Sequence, residues 1–161
     1  MAARTPGYFE ASTKAAAGET LLIVEDEVLS AMSLRDALLD AGYEVLDLTT
    51  RHREAVSAAR ARKPDLALVN IKLEGGDDGI ALARDLKAMG IPVLFISGQI
   101  SRARSATTVA VGSLPKPYDP ADMVRAVTYL LRHMNGDETL KRPFGLEVFD
   151  QAIDDMAPDP V

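Results

Sequence analysis

Three short apolar runs without alternation, residues 21–24 (LLIV), 66–69 (LALV) and 93–96 (VLFI), most constrain what this chain can fold into. A strand with one wet face alternates apolar and polar residues. An unbroken run instead fits a strand covered on both faces, as in a parallel sheet layered between helices. The intervening segments carry the helical period. Residues 28–41 place Ala31, Leu34 and Leu38 on one face with Met32 and Leu39 beside it, and Gly42 follows as a stop. Residues 43–48 read as a second strand, and 52–62 as an alanine-rich helix with arginines outside, ended by Pro64. Ile80, Ala83 and Leu86 share a face of a helix over 80–89, stopped by Gly90. Pro92 opens the fourth strand, where its missing N–H is tolerated. Residues 101–108 have weak periodicity and predict a short helix; 109–114 predict a fifth strand. Asp119-Pro120 then gives an N-cap and a first-turn proline, with Met123, Val127 and Leu130 facing inward. Five strand–helix units in alternation predict a doubly wound α/β fold with a five-stranded parallel sheet, its chemistry at the carboxyl ends of the strands.

The chain's 161 residues suffice for one domain. Residues 1–19, rich in Ala, Gly, Ser and Thr, read as a mobile tail; 20–134 as the domain; 135–161 as an extension too short for an output domain. The extension holds one amphipathic piece around Phe144 and Phe149, which suits packing on the domain or on a partner equally. With no Trp and 5% aromatic residues, the core must be made of Leu, Val, Ile and Ala. A net charge of -6 argues against non-specific nucleic-acid binding. The absence of cysteine excludes disulfides and thiolate metal sites, and two histidines, His52 and His133, exclude a multi-histidine site. No stretch approaches the roughly 18 apolar residues that span a bilayer, and the N-terminus lacks a signal-type apolar run, so a soluble cytoplasmic protein is expected.

The predicted strand ends carry Glu25-Asp26-Glu27, Asn70, Ser97 and Lys116-Pro117. In a parallel sheet these gather on one rim. Carboxylates, a hydroxyl and an ammonium together make up a magnesium-assisted phosphoryl site: carboxylates hold the hard cation, and the other groups contact phosphoryl oxygens. Each piece alone has a plainer reading. The acidic triplet suits a solvated loop, Ser97-Gly98 a turn, and Asn70 a strand-end residue capping a loop through its side chain. Residues 74–79 (EGGDDG) read as a solvated loop without calcium-loop spacing.

Taken in order, LLIVEDE (21–27), PDLALVN (64–70), DDG (77–79), PVLFISG (92–98) and LPKPY (114–118) resemble the bacterial two-component response-regulator receiver domain. The resemblance covers about residues 20–133. PVLFISGQ with KPYDP is also similar to the atypical stand-alone receivers of alphaproteobacteria. It implies a flavodoxin-like strand order 2-1-3-4-5, Asp26 as direct Mg2+ ligand with Glu25 assisting, and position 70 as phospho-acceptor and ligand. It further implies a metal contact from the Lys72 backbone carbonyl, Ser97 as switch hydroxyl, and Lys116 as the phosphate's partner before a cis proline. The implied partners are a sensor histidine kinase or phosphotransfer protein, with a homodimer through the fourth helix, fifth strand and fifth helix as a further contact.

Three features depart from the family pattern: Asn70 replaces the acceptor aspartate, Ser113 stands where an aromatic switch residue is expected, and the 70–79 loop is about two residues longer. An amide is no nucleophile. It also removes one negative charge, which weakens Mg2+ binding and leaves Lys116 to pair with Glu25 and Asp26. The expectation is a non-enzymatic, phosphorylation-silent receiver acting by protein contact. The alternative is an ordinary Asp-phosphorylated receiver carrying an engineered change at 70. A haloacid-dehalogenase-like phosphatase would need aspartates at 70 and 72, where Asn70 and Lys72 stand.

Overall fold

A computed structural model describes residues 18–157; all but Gly18 and Glu19 of the expected N-terminal tail, and the last four residues, lie outside that range. Five strand–helix units come in the predicted order: β1 (Thr20–Val24), α1 (Val28–Asp40), β2 (Glu44–Thr49), α2 (His52–Ala61), β3 (Leu66–Asn70), α3 (Gly79–Ala88), β4 (Val93–Ser97), α4 (Ile100–Arg104), β5 (Gly112–Pro115) and α5 (Pro120–Met134). A 3-10 turn at Glu74–Gly76 interrupts the loop after β3, and β6 (Glu147–Val148) and α6 (Asp150–Met156) follow α5. The sheet order is β2-β1-β3-β4-β5-β6. Neighbouring pairs are parallel except β5–β6, which is antiparallel.

The apolar runs work as two interleaved sets, because successive side chains of a strand point to opposite faces. Leu21, Ile23, Leu66, Leu68, Leu94 and Ile96 join one core with Leu34 and Leu38 of α1 and Met123, Val127 and Leu130 of α5. Leu22, Val24, Ala67, Val69, Val93 and Phe95 join the other with Ala55 and Ala59 of α2 and Leu82, Ala83 and Leu86 of α3. All five residues of β1, β3 and β4 are buried. β2, at the sheet edge, is largely half-exposed.

Two expectations need correction. Met32 and Leu39, beside the buried stripe, do not extend it: both are exposed on α1, as are Val28 and Leu29. The core stripe of α1 is narrow (Ala31, Leu34, Leu38), and residues offset from it turn to solvent. The parallel five-stranded sheet is present but extended by β6, a two-residue strand too short to show periodicity.

The C-terminal extension packs on the domain, burying Leu146, Phe149 and Ala152. Phe149 N–H also donates to the Val111 carbonyl at 2.9 Å. Each large apolar side chain so covered contributes about 1.5–3 kcal/mol. β6 thereby occupies the β5 edge, which would otherwise present unpaired backbone groups. Gly112 permits this approach: a Cβ there would lie 2.7 Å from the Glu147 carbonyl oxygen. Gly112→Val is expected to cost about 1–3 kcal/mol, the penalty of an overpacked site, and to loosen the extension. Thermal unfolding and limited proteolysis of residues 137–157 check this; unchanged melting and cleavage would contradict it.

Candidate functional site

The rim at the carboxyl ends of β1, β3, β4 and β5 gathers the predicted residues, and Asn70 lies at its centre. Its Nδ2 donates to Glu25 Oε2 at 3.0 Å and to Asp26 Oδ1 at 3.3 Å. The amide orientation follows from its neighbours: with carboxylate oxygens on both, only the NH2 group can face them without opposing lone pairs. Glu25 is 2% exposed. Its Oε2 also accepts from the Glu27 N–H at 3.1 Å. Its other oxygen, Oε1, has the Lys116 ammonium at 2.9 Å, a charge contact rather than an aligned hydrogen bond. Lys116 Nζ donates to Glu27 Oε1, also at 2.9 Å. Lys116 thus pairs with Glu25 and Glu27, not with Glu25 and Asp26 as expected. Burial disfavours its charged form, but the Glu25 and Glu27 carboxylates outweigh this and hold the ammonium above its ordinary value.

Ser97 is 2% exposed. Its Oγ accepts from the Gln99 N–H at 2.7 Å, so the hydroxyl is turned into its own loop. The Lys116 N–H donates to the Ser97 carbonyl at 3.0 Å, joining the ends of β4 and β5. Lys116–Pro117 is cis. Lys72 stands apart, exposed, in an isolated antiparallel bridge with Asp78. Ser113 is buried in β5, and no aromatic side chain occupies its position.

Several residues that positioned no chemistry in the sequence prove to hold the rim's loop. Gly79 N–H donates to the Ile71 carbonyl at 2.6 Å. A Cβ at 79 would lie 2.2 Å from the Asn70 carbonyl oxygen, so glycine is required for the loop to close over the end of β3. Asp77 accepts from Arg51 Nε at 3.0 Å and from the His52 N–H at 2.9 Å, and these hydrogen bonds, His52 first, hold its carboxyl below the ordinary range. Asp78 caps α3 by accepting from the Ile80 N–H. Arg102 of α4 donates to both oxygens of Asp78, each at 3.0 Å. Asp-Gly before a helical period was a legible N-cap signal for Asp78; the long-range bonds of Asp77 and Arg102 had none. Tyr118, half-buried beside Lys116, has its phenol pushed up to about 12 by burial and then by the Glu25 charge.

In the family the sequence resembles, Mg2+ is generally bound at the acceptor site; here two carboxylates, Glu25 and Asp26, stand at that place, but position 70 adds a neutral amide rather than a third negative charge, which weakens the site for the ion. Glu25 and Asp26 face the Asn70 amide, and Glu25 also faces the Lys116 ammonium, so the chain itself supplies the positive counterparts. Among the described residues no group of three or more His, Cys, Asp or Glu side chains is placed to hold a metal. No helix among them is long and apolar enough to cross a membrane.

The profile of the response regulator receiver domain matches residues 21–128. The transcriptional regulatory protein PdtaR of Mycobacterium tuberculosis is 33% identical over 119 residues, covering 70% of this chain and 57% of PdtaR. The phyllosphere-induced regulator PhyR of Methylorubrum extorquens is 32% identical, covering 69% of this chain and 43% of PhyR. The chain thus spans about half the length of these relatives. The solved structure of the response regulator PhyR from Brucella abortus superposes with a TM-score of 0.67 at 28% identity, covering 83% of this chain and 55% of that one. These relatives are regulators, not enzymes. Motifs in order, rim geometry and matched length agree, and the chain belongs to the response-regulator receiver domain family.

Proposed function

We propose that this is a phosphorylation-silent receiver, residues 20–134 with the extension as its own outer layer, which signals in the cytoplasm by protein contact. One observation carries the reading: the Asn70 amide hydrogen-bonds both Glu25 and Asp26 where the family's nucleophile would stand. On this reading Ser97 and Lys116 correspond to the family's switch hydroxyl and phosphate partner, and Glu25, Asp26 and the Lys72 backbone carbonyl to its metal ligands, without the charge at 70 that would let them act together. The partner is a helical-bundle protein of the relay, a sensor histidine kinase or a phosphotransfer protein. What supports this is the exposed apolar side of α1: Val28, Leu29 and Met32 are exposed there, and Leu29 lines a hollow of about 630 Å3 together with Lys116 and Tyr118. The face of α4, β5 and α5, implied as a homodimer surface, is partly built over by β6 and by the Arg104–Glu147 ion pair, so contact there would go through the extension.

Incubation with a small phosphodonor and Mg2+ is expected to leave the intact mass unchanged; a phosphate adduct at position 70 would overturn the reading. Leu29→Asp is expected to weaken binding to the partner's helical bundle about tenfold, as for a central apolar contact. Leu29 is 83% exposed, so the fold should be unaffected. Equal affinity by titration calorimetry would remove α1 from the interface.

A further inference from the structure

A second concave surface lies on the outer side of α5, where the 140–144 stretch (LKRPF) crosses that helix. The groove has a volume of about 440 Å3, and Val124, Tyr129, Leu140 and Phe144 form its apolar walls. Phe144 is fully exposed, whereas Leu146, two residues on, is buried. The chain therefore anchors itself past the groove and leaves an aromatic ring standing at its mouth. Fully exposed Phe is costly in water, and rings so placed are typical anchors of protein contacts.

The groove's charge is opposite to that of the molecule. Its lining includes Arg125, Lys141 and Arg142 and no acidic residue, in a chain of net charge -6. Arg125 is paired with Asp122 of its own helix. Lys141 and Arg142 are exposed and form no ion pair among the described residues. An apolar cleft flanked by two unpaired cations calls for a ligand with the reverse pattern, an apolar anchor flanked by carboxylates.

We propose that this groove receives an acidic peptide segment of another protein, which packs an aliphatic or aromatic side chain against Phe144 and Tyr129 and sets its carboxylates on Lys141 and Arg142. Helix-in-groove recognition has this form. A phosphate polymer or anionic membrane is the poorer match: two cations offer little attraction against the overall negative charge, and neither partner needs a cleft. The inference is independent of the state of Asn70, since no groove residue belongs to the carboxylate rim.

The test is selection of a random peptide display library on the full chain, followed by fluorescence anisotropy with the enriched peptides. The expected peptides are net acidic with one or two large apolar residues. Their affinity should fall about tenfold or more with Phe144→Ala and with Lys141→Glu/Arg142→Glu, and should fall with added salt. Both variants alter exposed side chains, so unchanged thermal unfolding serves as the fold control. The proposal is overturned if the enriched peptides show no acidic bias, or if they bind Phe144→Ala as tightly as the parent chain. It is equally overturned if the surface lost with Phe144→Ala proves to bind phosphatidylglycerol vesicles or single-stranded oligonucleotides instead. Concentration-dependent dimerisation abolished by Phe144→Ala would assign the groove to a second copy and overturn it too.

Discussion

Asn70→Asp is expected to turn the rim from a self-neutralised network into a working cation site. In metal-free buffer the variant should lose stability, because a donor to Glu25 and Asp26 becomes a third carboxylate at about 3 Å from both. Loss of a buried hydrogen bond and its replacement by like charge costs on the order of 1–3 kcal/mol. Magnesium should reverse the loss, since a ligand that binds only the folded state stabilises by about 2.7 kcal/mol at a hundredfold excess over its dissociation constant. The parent chain should show little response to the ion. With a small phosphodonor, the variant should acquire a phosphate visible by intact mass. Thermal melts with and without Mg2+, paired with the mass measurement, decide the matter. A folded variant that neither gains stability from Mg2+ nor takes phosphate would show that position 70 is not what silences the rim.

Lys116→Met is expected to be the most damaging single change on the rim. It removes the charge facing Glu25 Oε1 at 2.9 Å and leaves a carboxylate that is 2% exposed without a cation. Breaking a buried pair from one side costs about 3–5 kcal/mol, and the partial exposure of Lys116 puts the expectation at about 3. Adding Glu25→Gln should restore much of the loss, since the stranded charge is then gone, and the double-mutant cycle isolates the pair. The pH dependence has a definite sign. The Lys116 ammonium is held above its ordinary value of 10.5. Its stabilising contribution is therefore complete below that value and declines as pH rises through the folded-state value. The parent chain should lose this contribution on alkaline titration, and Lys116→Met should lack that step. Denaturant unfolding at neutral and alkaline pH reads both.

Much of the fold was legible because the strands encode it twice, as apolar runs and as residues shared between two cores. The rim was legible because a parallel sheet brings its strand ends together whatever the side chains there. The sequence could not show which carboxylate would meet Lys116: Glu25, Asp26 and Glu27 differ only in direction from the strand end, and the chain's turn into α1 selects Glu25 and Glu27. Nor could it assign sides to Met32 and Leu39, which lie at the margins of an apolar stripe whose width depends on what packs against it. β6 was hidden by its two-residue length, and Phe144 and Phe149 differ by neighbours rather than by pattern. Asp77 and Asp78 read as a solvated loop because their partners Arg51, His52 and Arg102 are distant in sequence.

The Asp78 carboxylate serves two masters, the first turn of α3 through Ile80 and the α4 helix through Arg102. A short helix such as α4 has few anchors of its own, so this shared acceptor acts as a hinge pin between it and the loop that leads back to Asn70. Displacing α4 would strip a charged donor from Asp78, so movement of α4 is expected to be felt at the loop that follows β3. With serine rather than an aromatic residue at position 113, the tie between that loop and α4 is drawn in ionic contacts.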